Sequence, residues 1–372
     1  MKVTRILLAE VKVPLPQMLR LGAVEIKTRD FVAVRIETDA GFYGDSFGYP
    51  RGTPLLEALS RVASGLLGRD PLMRREPLHS FELANATSKP VYSRALSLLD
   101  VALWDICAKV AELPLYKMLG GLRAKAPVTA VAGYYMDTRS VQNIADEVSM
   151  RLDQGYARVK VMLKGDDPAF DLSYVEAVTR VASGRVAADA HWSWASLTEA
   201  MRFCKSIDGA GLAFLEDPFG PQDGDLTAAL QERLRTPVAA GEDVIDLRSM
   251  RRLADSVSVL RVDATTCGGI TGALSAVQLA ALGGATVFPH VFAPLHIHLA
   301  CALPQVEGVE YIPPESGADP IDAILKRPVA INDGWMHVDE EPGAGLSLDW
   351  KRVERLTSRA TLIEAPAAKA SI

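Results

Sequence analysis

From Pro127 onward the chain repeats one rhythm, in which a short apolar run gives way to a helical stretch and then to another short apolar run. The runs are Val128 to Ala132, Ala157 to Met162, Val186 to Asp189, Leu212 to Leu215, Val238 to Ala240, Val259 to Val262, Thr286 to Phe288 and Gly308 to Tyr311. The helical stretches include Val141 to Gln154, Tyr174 to Ala182, Leu197 to Ile207, Leu247 to Ala254 and Gly272 to Leu282. Strands alternating with helices predict a parallel α/β fold, and eight of them predict a closed β/α barrel. A doubly wound open sheet is the rival. It usually carries a Gly-rich phosphate loop after its first strand, and Val128 to Tyr135 holds only Gly133.

The region before this rhythm reads differently. Phe31 to Thr38 is β-branched and precedes an Asp-Ala-Gly turn and then Phe42-Tyr43-Gly44, which is hairpin chemistry. Tyr92 to Glu112 places Leu96, Leu99, Leu103, Ile106 and Val110 on one helical face. Strands first and helices later predict an α+β unit. The expected division is an α+β domain over 1–124, the barrel over 125–341, and a segment over 342–372 that has no strand–helix unit and folds back onto the first domain.

Composition narrows function by exclusion. The net charge of -6 comes with no basic stripe for nucleic acid and no polybasic run for a membrane surface. No apolar run approaches a membrane span, and Met1 to Glu10 lacks the apolar core of a signal peptide. Cys107, Cys204, Cys267 and Cys301 are far apart and form no CxxC pair, as expected of reduced thiols in a cytoplasmic protein.

Several apolar runs end in a charged residue. Asp189 ends RVAAD, Glu216 follows GLAFL, and Glu242 follows PVAAG. In a β/α barrel the C-terminal strand ends build the active site, so these three carboxylates converge on one mouth. They need a cation there, and a hard divalent ion such as Mg²⁺ is the default for oxygen ligands. Asp263 and His290 end the sixth and seventh strands, which are neighbours in a barrel; a carboxylate beside an imidazole orients the ring and makes it a better base. His79, His296, His298 and His337 read as structural.

The ordered set Lys160 (ARVKVM), Asp189 (DAHW), Glu216 (FLEDP), Glu242 (AAGED), Asp263 (RVDATTCGGITGAL), His290 (FPHVF) and Glu310 (GVEYIP) resembles the mandelate racemase subgroup of the enolase superfamily. SRALSLLDVALWDICAK and LPLYKMLGG resemble that family's first domain. The resemblance implies a modified TIM barrel, (β/α)7β, beneath an N-terminal α+β capping domain, and commonly a homo-oligomer. It implies that Asp189, Glu216 and Glu242 bind Mg²⁺, that Lys160 assists at the substrate carboxylate, and that His290 paired with Asp263 is the general base. A protonated Glu310 would donate a hydrogen bond to the developing enediolate.

The sequence departs from the pattern in two places. Relatives often carry Lys-x-Lys on the second strand, where the second lysine serves the opposite substrate face; here Met162 stands at that position, and Lys164, two residues on, reads as a loop residue before Gly165. His191 stands where racemases often carry Asn. Some sugar-acid dehydratases use a histidine there as general acid, so His191 is a candidate for that role or for a hydrogen bond to a substrate hydroxyl. Arg261 lies before Asp263, and no lysine stands on the sixth strand, which disfavours the muconate-cycloisomerase branch. The leading expectation is dehydration of a sugar acid to a 2-keto-3-deoxy acid. The alternatives are a racemase or epimerase of a 2-hydroxy acid and a non-catalytic sugar-acid binding protein. Substrate choice is expected in capping-domain loops near Leu15 to Val24 and Ser46 to Thr53, with Leu19, Leu21 and Phe47 as candidates.

Overall fold

The computed structural model describes residues 1–21 and 24–364. Three antiparallel strands open the chain: β1 (Val3–Leu21), β2 (Val24–Thr38) and β3 (Tyr43–Gly48). Helices α1 (Leu55–Ala63), α2 (Arg75–Ala84), α3 (Lys89–Val110) and α4 (Leu115–Met118) follow. Ile6, Leu8, Val32, Val34 and Ile36 point from the sheet into one core with Leu59, Leu99 and Leu103. The alternation of β2 and the three- and four-residue spacing of α3 bring these side chains together. Gly44 marks the closest approach of the sheet to α3. A Cβ there would lie 1.9 Å from the carbonyl oxygen of Ala102.

The barrel runs β4 (Lys125–Ala132), α5 (Val141–Asp153), β5 (Arg158–Met162), α6 (Pro168–Val181), β6 (Val186–Asp189), α7 (Leu197–Ile207), β7 (Leu212–Glu216) and α8 (Gly224–Gln231). It continues β8 (Val238–Ala240), α9 (Leu247–Ala254), β9 (Val259–Val262), α10 (Gly269–Gly283), β10 (Thr286–Pro289), α11 (Ala293–Ala302) and β11 (Val309–Tyr311). Strands β4 to β10 pair in sequence order, all parallel, and β11 pairs with β4. The residues just before β11 complete the ring, with Val287 N donating to Gln305 O and Glu307 N donating to Val287 O, both at 3.0 Å. Seven strand–helix units and a last strand make the (β/α)7β barrel expected from the sequence.

After the barrel come β12 (Trp335–His337), which pairs with β4, then α12 (Trp350–Leu356) and β13 (Thr357–Glu364). The final stretch thus holds a helix followed by a strand and, among the described residues, no strand–helix unit of the barrel kind. β13 lies antiparallel on β1. It is an edge strand with most of its side chains half-exposed or exposed, so it lacks the apolar alternation that would reveal it. The rest of the 342–372 segment, from 365 on, lies outside the described residues.

Leu15 to Leu21 differs from expectation: it is the end of β1, not a loop, and Gly22 and Ala23 lie outside the described residues. Leu19 and Phe47, expected to choose the substrate, are packed in the core at 0% and 1% exposure. Only Leu21 of the three lines the cavities at the barrel mouth. Among the described residues no helix is long and apolar enough to cross a membrane, and all four cysteines are free and buried.

Candidate active site

The parallel register places Met162, Asp189 and Glu216 side by side at the C-terminal ends of three adjacent strands. Glu242 follows β8 through Gly241, whose φ of +130° and close contact with the Arg261 carbonyl oxygen admit no side chain. Asp263 follows β9, His290 follows β10, and Glu310 lies on β11. All eight residues singled out from the sequence for this site lie around one barrel mouth.

Lys160 reaches up from β5 into the middle of the acids. Its Nζ lies 3.0 Å from Asp189 Oδ2, 2.8 Å from Glu216 Oε1 and 2.8 Å from Glu310 Oε1. These carboxylates outweigh burial, which opposes the charge, and hold the ammonium firmly protonated. Glu242 Oε1 faces Arg51 Nη2 at 3.2 Å and His290 Nε2 at 3.4 Å. As they stand, no three Asp, Glu, His or Cys side chains among the described residues form a ready metal cage. Instead, lysine and arginine satisfy most of the carboxylate oxygens. The donors nevertheless suit a hard divalent ion: all are carboxylates at strand ends, and Glu216 Oε2 is buried with no hydrogen-bond partner among the described residues.

His290 Nδ1 lies 2.9 Å from Asp263 Oδ2. Asp263 Oδ1 accepts from Thr265 N and Oγ1, both at 2.7 Å. Burial raises the Asp263 pKa, but the bond and charge of His290 overcome it and bring the carboxyl down to about 2. An ionised Asp263 accepts the Nδ1 proton, which leaves the Nε2 lone pair facing the mouth. His296, fully buried on α11, accepts from Ala264 N through Nε2 at 3.1 Å and so steadies the backbone behind Asp263. That is the structural role expected of it.

Two expectations change. A protonated Glu310 is not what its surroundings favour. Burial pushes its pKa up, but Arg261 and Lys160 outweigh that and hold the carboxyl well below the usual carboxylate range. Its Oε2 accepts from Arg261 Nη2 at 2.7 Å and from Val291 N at 3.0 Å. Glu310 therefore acts as an acceptor here, not a donor. His191 sits at a φ of 44°, stacked on Trp192 with ring centroids 4.5 Å apart. Burial lowers its pKa and favours the neutral ring. Lys164 points away from the mouth, its Nζ 4.0 Å from Asp137 Oδ1, as its loop position suggested.

The structure also brings in residues that the sequence reading left aside. Arg51, from the loop after β3, reaches into the mouth, its Nη2 3.3 Å from His290 Nε2. Arg261, fully buried, underlies three of the acids. The signal for Arg261 was present: it is two residues before Asp263 and shares its inward parity. Arg51 lies in the Ser46 to Thr53 stretch expected to bear on substrate choice, but nothing singled out that residue within it, because its position depends on how the cap docks. A small cavity of about 50 Å³ lies between Lys160, Met162, His191, Glu242 and His290. It shares Arg29, Tyr49, Arg51 and His191 with an outer cleft of about 1060 Å³ between the cap and the barrel loops. The small cavity and the outer cleft thus adjoin at these side chains.

Residues 3–120 match the mandelate racemase/muconate lactonizing enzyme N-terminal domain, and residues 143–352 match the enolase C-terminal domain-like family. The chain belongs to the enolase superfamily, in the mandelate racemase/muconate lactonizing enzyme family. It is 26% identical over 338 residues to an arabinonate dehydratase of Saccharolobus solfataricus, covering 86% of this chain and 88% of that protein. It is 27% identical over 326 residues to an L-talarate/galactarate dehydratase of Salmonella typhimurium, covering 85% of this chain and 80% of that protein. The crystal structure of an L-talarate dehydratase from Polaromonas sp. JS666, complexed with Mg and L-glucarate, superposes with a TM-score of 0.86 at 25% identity, over 98% of this chain and 100% of that one. This chain is thus an enzyme of the superfamily, and its (β/α)7β barrel under an antiparallel cap is the fold of these neighbours.

Proposed function

We propose that this enzyme is a Mg²⁺-dependent dehydratase that removes the α-proton of a sugar acid and expels the β-hydroxyl as water, giving a 2-keto-3-deoxy acid. The observation that carries the reading is the pairing of one poised base, His290, with an apolar residue, Met162, on the wall three strands round the barrel. The dehydratase relatives, whose names include arabinonate and L-talarate/galactarate, support the same substrate class.

The α-proton beside a carboxylate is very weakly acidic because its loss leaves a dianion. Mg²⁺, held by Asp189, Glu216 and Glu242, would supply Lewis acidity that offsets that charge. Lys160 is the chain's own donor to the substrate carboxylate, and Glu310 orients it. His290 Nε2 takes the α-proton, and Asp263 stabilises the imidazolium that results. The electron pair left on the α-carbon then forms the double bond as the C–O bond to the β-hydroxyl breaks. The proton on Nε2 passes to that leaving oxygen, so one water is lost and His290 returns to its starting state. The resulting enol becomes the keto acid as its 2-hydroxyl gives up a proton and C3 takes one up. The neutral His191 and Arg51 flank the site as hydrogen-bond donors to substrate hydroxyls.

A racemase would need a second base on the opposite face. Met162 carries no proton at neutral pH, and Lys164 points away. A protein that only binds sugar acids would have no use for the His290–Asp263 pair. The test is to incubate each α-epimer of an accepted sugar acid with Mg²⁺ in D₂O and follow it by NMR. One epimer is expected to disappear into a keto acid while the other stays inert. Interconversion of the epimers without a keto product would sink the dehydratase reading. Absence of any α-exchange across a sugar-acid library would sink the enzyme reading as a whole.

A further inference from the structure

The barrel mouth pairs its buried carboxylates with buried cations of the chain itself. Asp189, Glu216, Glu242 and Glu310 converge there, and all four are buried. Lys160 touches three of them from one side. Arg261 rises from β9 on the other side with 0% of its side chain exposed. Its Nε lies 3.1 Å from Glu216 Oε1, a charge contact, and its Nη2 lies 2.7 Å from Glu310 Oε2 and 3.5 Å from Glu242 Oε2. Its Nη1 donates to the carbonyl oxygens of Phe288 and Pro289, both at 3.1 Å, and the guanidinium lies 4.9 Å from the centre of the Phe288 ring. Backbone and ring fix the head in place, so it does not swing aside when the carboxylates find another partner.

We infer that Arg261 is a built-in counter-ion of the carboxylate cluster, a positioning residue that sets how tightly the barrel mouth takes up a divalent cation. The inference rests on the Mg²⁺ reading above. Three cations face these four carboxylates: Lys160, Arg261 and, from the cap loop, Arg51, whose Nη2 lies 3.2 Å from Glu242 Oε1. Of these, Arg261 is the one that contacts both Glu216 and Glu242, so removing it leaves both carboxylates with more uncompensated charge for a divalent ion to neutralise. Two of the three proposed metal ligands, Glu216 and Glu242, share their oxygens with the guanidinium. Arg261 therefore stabilises the metal-free cluster and weakens its hold on the ion, because a buried carboxylate with a fixed partner gains less from a second one. A site built this way folds without its metal and exchanges it readily.

The test is calorimetric titration of Mg²⁺ alone into chelator-treated protein, with thermal unfolding in chelator and in saturating Mg²⁺. Arg261→Met is expected to bind Mg²⁺ at least tenfold more tightly than the wild type and to unfold at a lower temperature in chelator, with most of that deficit restored by Mg²⁺. Arg261→Lys, which keeps the charge, is expected to stay close to the wild type in both measurements. Unchanged or weaker binding by Arg261→Met would overturn the inference. So would an Arg261→Met chain that stays unfolded at saturating Mg²⁺, since the arginine would then serve the core alone. A wild-type protein that binds no Mg²⁺ at millimolar concentration would instead overturn the functional reading on which the inference stands.

Discussion

His290 and Glu216 test different halves of the site. His290→Asn is expected to stop α-proton exchange in D₂O while Mg²⁺ binding, read by calorimetry, stays within a few-fold of the wild type. Glu216→Gln is expected to lose both, because it removes the charge of a ligand whose Oε2 has no other partner. Exchange at wild-type rates in His290→Asn would remove the base assignment. Asp100 on α3 is a buried acid outside the mouth. Its carboxylate accepts from Thr271 N at 3.0 Å and Thr271 Oγ1 at 2.7 Å, stitching the cap helix to the start of α10. Burial pushes its pKa up from 3.8 to about 6, against the two bonds from Thr271. A raised folded pKa means that the native state holds the proton more tightly. The resulting stability is full below the unfolded pKa and is lost as pH rises through about 6. Asn can accept from Thr271 N through Oδ1 and donate from Nδ2 to Thr271 Oγ1, and it never ionises. Asp100→Asn should therefore match the wild type near pH 4 and exceed it by about 2–3 kcal/mol at pH 7.5, measured by denaturant unfolding. Equal stability at pH 7.5 would show that Asp100 is not ionised against its surroundings. At this scale the sequence was legible where a residue ended an apolar run, as at Asp189, Glu216, Asp263 and His290. It was opaque for the protonation state of Glu310, which depends on Lys160 and Arg261 from two other strands.

Elements were legible in proportion to how one-sided their surroundings are. The barrel strands are buried on both faces and read as short, mostly apolar runs broken by an inward-facing charge, as at Lys160 and Arg261. Helix α3 shows its apolar face plainly. Strand β1 did not show itself: at nineteen residues it breaks register between Pro14 and Leu19, and its second half is largely exposed. Strand β13 is an edge. Helix α8 is short and carries no clear apolar stripe, with only Thr227 and Leu230 buried. The cap also depends on one contact that no periodicity reveals, the approach of β3 to α3 at Gly44. Gly44→Ala is expected to cost about 3 kcal/mol or more, since the added carbon would meet backbone at the Ala102 carbonyl and the Ile106 side chain. Gly65→Ala, where nothing lies within 4 Å, is expected to change stability by less than about 0.5 kcal/mol. Thermal unfolding of the two variants side by side checks the pair, and similar midpoints would mean that the sheet and helix can shift apart cheaply.

At the scale of the molecule, cap, barrel and C-terminal segment meet behind the mouth, and buried polar groups join them. Asp105 on α3 accepts from Asp45 N at 3.0 Å on β3 and from Ala344 N at 2.7 Å in the C-terminal segment. Arg29 on β2 donates to the carbonyl oxygen of Ala318 at 2.7 Å beyond the last barrel strand. These contacts fix where the cap delivers Arg51, and no single stretch of sequence encodes them. His298 is the member of this junction that pH can test. It lies on α11, fully buried, with Nδ1 accepting from Tyr116 N at 3.1 Å on α4, while a Cβ added at Gly345 in the C-terminal segment would lie 2.7 Å from Nε2. Since Nδ1 accepts, the neutral ring carries its proton on Nε2, and a second proton would have to enter against the Tyr116 N–H. Burial accordingly lowers the pKa from 6.5 to about 4. The sign is opposite to that of Asp100. Between these two values the unfolded chain binds the extra proton and the native state refuses it, so stability falls as pH falls through that window. The loss approaches about 3 kcal/mol by pH 4. Asn at 298 presents an acceptor near the Nδ1 position and cannot be protonated there. His298→Asn should therefore be less stable than the wild type at pH 7.5, from imperfect packing, yet gain on it steadily as pH is lowered from 6.5 to 4. Asp100 acts in the opposite direction over part of the same range, so the quantity to read is the difference between variant and wild type at each pH, from denaturant unfolding. A difference that stays constant across the window would mean that the ring finds a way to take its proton inside the fold, and that the junction of the three parts is looser than its hydrogen bonds imply.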